Sequence, residues 1–187
     1  IADWYDPGVG GHGMRDLDRG RIFRVVPEGH NGYKFAKRDF KSLEGAISGL
    51  LSSDLESRYL GWNALHEMGV EKTQDALMKL ISDKDKIKRA RAAWCLGKMP
   101  GAGKMVIDKI SKDLDSDLRI VAIRLARQLN SDVVNLITML SNDKSPQVRR
   151  ECAIALRELD VEEVPKLWAK LALQHDGKDR WYLEALG

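Results

Sequence analysis

The chain has 187 residues, 43% of them hydrophobic and 32% charged, which indicates a soluble globular protein with one core or a short repeat array. Its net charge of +3, with acids and bases interspersed, does not by itself indicate a nucleic-acid-binding protein. No apolar run approaches the roughly 18 residues that span a membrane, so we expect no direct membrane insertion, and no signal peptide is evident in these residues.

The first forty residues differ in composition from the rest of the chain. We predict a strand end running into a turn at residues 3–8, a glycine-rich loop at 8–13 and a strand over 21–27. The last of these stretches is rich in β-branched and aromatic residues and ends at a proline. Residues 1–40 are therefore predicted to form a short extended or β segment, which two strands alone cannot stabilise.

From Lys41 the apolar pattern becomes helical. Leu43, Ala46, Ile47 and Leu50, for example, follow the spacing of one helix face. The pattern predicts an all-α domain over 41–187, built of five helical hairpins at about residues 41–69, 71–100, 102–129, 131–159 and 161–187. Because each helix has one apolar stripe, the hairpins must stack to bury it, so we predict a right-handed α-solenoid.

The hairpins share a repeated set of residues with a period of 30 or 31, which we call the ladder. An arginine stands in each second helix, and an acidic or hydroxyl residue stands four positions before it. An apolar residue, from Met68 to Leu159, follows the first four arginines by ten positions. The ladder consists of Asp54 and Arg58, Asp85 and Arg89, Asp115 and Arg119, Ser145 and Arg149, and Asp176 and Arg180.

The spacing of the ladder favours a structural role. An aspartate at a helix start accepts backbone N–H groups, and an arginine four residues later can donate to that acid or to the acid of the neighbouring repeat. For the Ser145 repeat, Asp143 is the candidate acid. The functional alternative is a row of arginines that binds phosphates or an acidic partner.

The last repeat bears on the extent of the protein. We predict its second helix to run from Asp176 towards Gly187, with its apolar ladder residue falling beyond Gly187. The chain also opens inside a predicted sheet. We therefore expect these residues to belong to a longer protein.

The ladder and its two-helix repeat resemble HEAT-type repeats, in particular the short, PBS-lyase-like form of about 30 residues. More narrowly, residues 11–25 resemble the closing strands of a sugar-dehydrogenase-like β-propeller. Residues 58–66, 148–153 and 173–183 resemble the HEAT region of the same family, the exported, membrane-bound dehydrogenases of planctomycete type with a haem-binding CxxCH domain.

The resemblance implies a function for the chain as a whole. It implies a non-catalytic scaffold that connects a propeller and a cytochrome domain of a larger periplasmic or exported dehydrogenase. A stand-alone HEAT-type binding protein is the alternative. The expected partners are the protein's own other domains, other protein subunits or a second copy, without nucleic acid, and the expected contact surface is the concave face of the second helices.

No catalytic, cofactor-binding or metal site is predicted in this segment. Haem c is expected only elsewhere in such a protein, because no CxxCH occurs here. Cys95 and Cys152 lie two repeats apart, too far for a disulfide, and are predicted to be buried apolar groups.

Three patterns that could indicate a binding or catalytic site are set aside. The glycines of residues 8–13 precede a strand instead of the helix that a phosphate site needs. Asp16 and Asp18 do not belong to a complete calcium-binding loop, since the glycine is one position early and the glutamate is missing. The four histidines, His12, His30, His66 and His175, are not spaced like metal ligands. His175 with Asp176 is interpreted as a loop anchor.

Two rival functions and one packing question remain. An enzyme would use the glycine-rich loop with Arg15, Asp16 and Asp18, and a nucleic-acid-binding protein would use exposed arginines, namely Arg91, Arg124 and Arg150. Four tryptophans at helical positions are interpreted as core residues, with a partner-binding patch as the alternative: Trp62, Trp94, Trp168 and Trp181.

Overall fold

A computed structural model describes residues 2–3, 21–32, 37–157 and 159–187. The chain divides into two compact units, Ile1–Lys37 and Arg38–Gly187.

The described part of the first unit contains a two-stranded antiparallel sheet. Strand β1, Ala2–Asp3, pairs with strand β2, Arg21–Ile22, so that Ala2 lies opposite Ile22. The strand predicted over 21–27 is therefore correct only for its first two residues. Residues 23–27 have no regular structure, because no described strand lies beside them to accept their backbone hydrogen bonds.

The second unit is all-α and, within the described residues, contains ten helices packed in consecutive pairs. We call the first helix of each pair an A helix and the second a B helix. The helices are α1 Leu43–Leu50, α2 Leu55–Met68, α3 Val70–Ile81, α4 Lys86–Gly97, α5 Gly103–Ile110, α6 Ser116–Gln128, α7 Val133–Leu140, α8 Pro146–Leu156, α9 Val164–Ala172 and α10 Arg180–Leu186.

The B helices contact one another in chain order, from α2 and α4 through to α8 and α10. Each A helix after the first also contacts the B helix of the pair before it. Each of the ten helices contributes buried side chains to one continuous hydrophobic cluster. The packing is therefore repeat-like.

Residues just before the B helices cap their N-termini. Asp54, Asp85 and Asp115 each accept a backbone N–H from the first turn of α2, α4 and α6 at 2.7–2.8 Å. Ser145 precedes α8 without such a bond, and Pro146 occupies the first helical position. The B helices thus start at sequence-encoded caps.

The last B helix begins later than predicted. α10 starts at Arg180, and its cap is Asp179, whose carboxylate accepts the N–H of Tyr182 at 3.1 Å. Asp176 instead accepts the N–H groups of Lys178 and Asp179 at 2.8 and 2.9 Å. This side-chain turn, with Gly177 at φ 76°, competes with the helix and delays its start.

The connection between α2 and α3 is shorter than predicted. α3 begins at Val70, just before the second hairpin that was predicted to start at about residue 71, because Gly69 ends one helix and precedes the next. Its φ of 79° is accessible to glycine and turns the chain in a single residue. No described helix has both the length and the apolarity to cross a lipid bilayer.

Candidate functional site

Three of the five ladder arginines share one geometry. Each lies in the first turn of its B helix and donates from Nη1 to the carbonyl oxygens six and five residues before it. The N···O distances are 3.0 and 3.3 Å for Arg89, 2.7 and 3.1 Å for Arg119, and 2.7 and 3.3 Å for Arg149. These arginines therefore hold the loop between the A and B helices of their own repeat.

Two of them also reach an acid of the next repeat. Arg119 binds Asp143 with two bonds, Nε at 2.6 Å and Nη2 at 2.7 Å, and Arg89 approaches Asp113 at 3.3 Å. These acids stand two residues before the helix cap. The sequence interpretation allowed an acid of the neighbouring repeat and named Asp143 for the Ser145 repeat, but it did not single out Asp113. Of the capping acids, Asp115 lies 3.7 Å from Arg89. The Asp-x-Asp and Asp-x-Ser spacing before α4, α6 and α8 was the available signal.

The pair Arg119 and Asp143 is buried. Their side chains are 6% and 8% exposed. Burial alone would raise the pKa of Asp143, but the hydrogen bonds from Arg119 and from the N–H of Ser145 outweigh it and lower that pKa. The hydrogen bond to Asp143 raises the pKa of Arg119. Both groups therefore stay charged, and they tie the third repeat to the fourth.

The ladder does not continue at its two ends. Arg180, whose side chain is 82% exposed, lies in the first turn of α10 and pairs with Glu184 at 3.4 Å. Arg149 places its guanidinium 5.7 Å from the centre of the Tyr182 ring. Asp83, which by position would receive Arg58, lies 3.6 Å from Lys88 instead. Within the described residues, Arg58 forms no ion pair and lines an open groove.

This groove, which we call the B-helix groove, crosses α2, α4 and α6 and has a volume of about 810 Å³. Its apolar lining includes Tyr59, Trp62, Ile87, Trp94 and Val121. Tyr59 and Ile87 are exposed, at 66% and 57%, while both tryptophans are half-buried. Large apolar side chains are thus concentrated on the surface of consecutive B helices.

Cations line the same groove. Lys86 is paired with Asp117 at 2.7 Å, and Lys98 lies 5.8 Å from the centre of the Trp94 ring. Arg91 donates to the carbonyl oxygens of Ser52 at 2.9 Å and Leu50 at 3.4 Å. The groove therefore combines an apolar surface with positive charge.

The tryptophans do not fill the core. Trp62 and Trp94 line the groove, and Trp168 and Trp181 are exposed, so the interpretation as core residues is wrong for the last two. Trp168 donates from Nε1 to the carbonyl of Leu186 at 3.0 Å. The B helices bury mainly small and aliphatic residues, such as Ala92 and Ala122, and this close packing leaves no space for indole rings.

His66 packs against Trp62, one of the residues that line the groove. Its ring stacks on Trp62 with centroids 4.9 Å apart, and Nε2 lies 3.1 Å from the carbonyl oxygen of Cys95. Because that carbonyl only accepts hydrogen bonds, the neutral ring carries its proton on Nε2. Burial lowers the pKa of His66 below 6.5 and is the largest effect. The hydrogen bond to the carbonyl of Cys95 raises this pKa, and repulsion from Lys98 lowers it further.

We expect His66 to titrate below pH 6.5 in a histidine-ring NMR titration. Since the folded state disfavours the charged ring, the unfolded state binds the proton more strongly, and stability falls as pH decreases through 6.5. His66→Gln should remove part of this acid sensitivity in urea unfolding at pH 5 and pH 7. A midpoint at or above 6.5 would contradict the burial effect.

The arginines proposed for nucleic-acid binding are largely engaged with the protein. Arg91 bonds to backbone carbonyls, and Arg124 binds the buried Glu151 with two bonds, at 3.0 and 2.8 Å. Arg150 is half-buried. Arg91 and Arg124 therefore bind other groups of the protein, although the Arg124 side chain is 56% exposed.

Both cysteines are free and fully buried, which confirms their predicted state. Burial raises the pKa of each thiol to about 12. We expect neither Cys95 nor Cys152 to react with Ellman's reagent at pH 8 in the folded protein, and both to react in urea, because the thiolate is the reactive form. Rapid labelling of the folded protein would contradict this burial.

Of the remaining candidates, His175 and Asp176 lie within the described residues. His175 anchors a loop: Nδ1 accepts the N–H of Gly177 at 3.2 Å, and Nε2 lies 2.9 Å from the carbonyl oxygen of Asp179. No group of three histidine, cysteine or acidic residues able to hold a metal occurs in the part of the chain that the structure describes. The glycine-rich loop, His12, Arg15, Asp16 and Asp18 lie outside the described residues.

No protein-family model and no curated protein matches this chain.

Proposed function

We propose that the chain is a non-catalytic protein-interaction module, a right-handed α-solenoid of five HEAT-type hairpins. The period of 30 or 31 residues, the consecutive helix pairs and the row of B helices support this proposal. The ladder keeps the repeats in register, and the B-helix groove binds a partner.

The observation that carries the proposal is the exposure of large apolar side chains in the groove. Tyr59 and Ile87 expose more than half of their surface beside Trp62 and Trp94. Contiguous apolar patches are uncommon on soluble proteins unless they bind something. Tryptophan, tyrosine and arginine are also the residues that contribute most to protein interfaces.

Selection from a random peptide library displayed on phage, with the 187-residue chain as bait, tests this function. We expect the selected peptides to bind about tenfold or more weakly to the double variant Tyr59→Ala, Ile87→Asp. Leu183→Asp is the matched control, since Leu183 has the same 57% exposure as Ile87 but lies on α10. Absence of binders, or binders that are indifferent to the groove variant, would overturn the proposal.

We propose further that this module connects the propeller and cytochrome domains of an exported, periplasmic dehydrogenase, with those domains or other subunits as its partners. The resemblance of residues 11–25, 58–66, 148–153 and 173–183 to that family supports this. The intact mass of the native polypeptide, measured with a pyridine-haemochrome spectrum, tests it. A mass far above 21.1 kDa with a c-type haem band is expected, and a mass near 21.1 kDa without haem would leave a stand-alone module.

A further inference from the structure

We propose that the occupant of the B-helix groove is an acidic amphipathic helix of a partner protein, with apolar anchors on one face and glutamates or aspartates beside them. This inference rests on the proposed function, namely that the groove is a protein-binding surface. It adds the chemical class of the partner.

The charge of the groove favours an acidic partner. Four cations and one anion line it, so the groove is net positive; these residues are Arg58, Lys86, Arg91, Lys98 and Asp117. Lys86 is neutralised by Asp117. Within the described residues, Arg58, Arg91 and Lys98 have no carboxylate within 4.0 Å. Because Arg91 donates to the backbone carbonyls of Ser52 and Leu50, Arg58 and Lys98 are the two cations left for a ligand.

The position of these cations favours a ligand that is apolar as well as acidic. Arg58 is adjacent in sequence to the exposed Tyr59, and Lys98 lies over the Trp94 ring. A carboxylate that reaches either cation therefore brings its neighbouring side chains onto aromatic surface. Burial of that surface supplies affinity, while the charges select the partner and accelerate its association.

The backbone of the groove favours a helical ligand over an extended one. An extended peptide needs unpaired N–H and C=O groups on the protein, as at the edge of a sheet. The groove is lined by residues of α2, α4 and α6 together with Leu50 of α1, and inside these helices the backbone groups bond to one another. A helix satisfies its own backbone and contributes only side chains.

The spacing of the groove also suits a helix. Neighbouring packed helices lie about 8–10 Å apart, and the groove has one tryptophan on each of two neighbouring B helices, Trp62 on α2 and Trp94 on α4. Residues seven positions apart on a helix are separated by about 10.5 Å on one face. Two apolar anchors at that interval can therefore reach adjacent B helices.

The test uses fluorescent synthetic peptides of about 18 residues, or five helical turns. The acidic probe carries leucine and phenylalanine at positions i, i+3, i+4 and i+7 and glutamate on its flanks. Its isosteric counterpart has glutamine in place of glutamate, and a single-stranded oligonucleotide of equal charge represents nucleic acid. Fluorescence anisotropy measures the binding of each to the 187-residue chain.

We expect the acidic peptide to bind about tenfold more tightly than the glutamine peptide, and this preference to shrink at high salt. The double variant Arg58→Gln, Lys98→Gln should lose most of the preference, whereas Arg180→Gln, which removes an exposed cation of α10, should keep it. Equal binding of the two peptides, or tighter binding of the oligonucleotide, would overturn the inference.

The two proposals fail in different ways. If the phage library yields groove-dependent peptides without acidic residues, the interaction function stands and the acidic-helix inference fails. If neither library peptides nor synthetic probes depend on Tyr59 and Ile87, both fail.

Discussion

Arg119→Met is expected to lower the free energy of unfolding by about 3–5 kcal/mol, because it leaves the buried carboxylate of Asp143 without its partner. The variant also removes the bonds from Nη1 to the carbonyls of Asp113 and Leu114. Urea unfolding followed by circular dichroism measures the effect as a shift of the midpoint. Because the native pKa of Asp143 is lowered, the contribution of the pair is present above the ordinary aspartate pKa and is lost as pH falls through the native value.

Arg180→Met is the matched control for this prediction. The Arg180 side chain is 82% exposed and forms one ion pair within its own helix, so its removal should cost less than about 0.5 kcal/mol. Equal midpoint shifts for the two variants would mean that the ladder arginines do not join the repeats through Asp143.

Gly61→Ala is expected to destabilise the protein by about 2–3 kcal/mol, although alanine is the better helix former. A Cβ atom at Gly61 would lie 2.5 Å from the carbonyl oxygen of Ala46 and 2.5 Å from the nitrogen of Leu50. Both are backbone atoms of α1, so relief requires the two helices of the first pair to move apart. Thermal unfolding and urea unfolding should both register the loss.

Gly97→Ala distinguishes backbone contact from side-chain contact. The nearest atom to a Cβ at Gly97 is a methyl carbon of Leu125, at 2.4 Å, and a leucine tip can change rotamer. This variant should lose clearly less stability than Gly61→Ala. An equal or larger loss at Gly97 would show that the close approach of α1 and α2 is not what requires glycine at residue 61.

Features that depend on near neighbours in sequence were predictable. The helix pairs follow from apolar stripes with a helical period, and the starts of α2, α4 and α6 follow from Asp54, Asp85 and Asp115. The free, buried state of the cysteines followed from their separation by two repeats. The prediction that Asp176 starts the last helix was wrong. Its carboxylate forms a side-chain turn next to Gly177 instead of a helix cap, and both interactions are short-range.

The candidate site was less predictable, because its properties depend on residues far apart in sequence. Arg119 and Asp143 are 24 residues apart. The sequence offered Asp143 as a candidate acid, but only the stacking of one repeat on the next shows that it binds Arg119 with two hydrogen bonds. Arg58 has the same position in its repeat as Arg119, yet it lines the groove, and the acid in the corresponding position, Asp83, lies 3.6 Å from Lys88.

The amino-acid sequence by itself determined the repeat period, the alternation of A and B helices and most of the helix starts, since these depend on contacts within a few residues. Only the tertiary structure decided which ladder arginines reach an acid of the next repeat and which aromatic and cationic side chains share a groove. The physical reason is that ion pairing and side-chain exposure depend on the distance between repeats, which the packing of small buried residues sets across the whole row of helices.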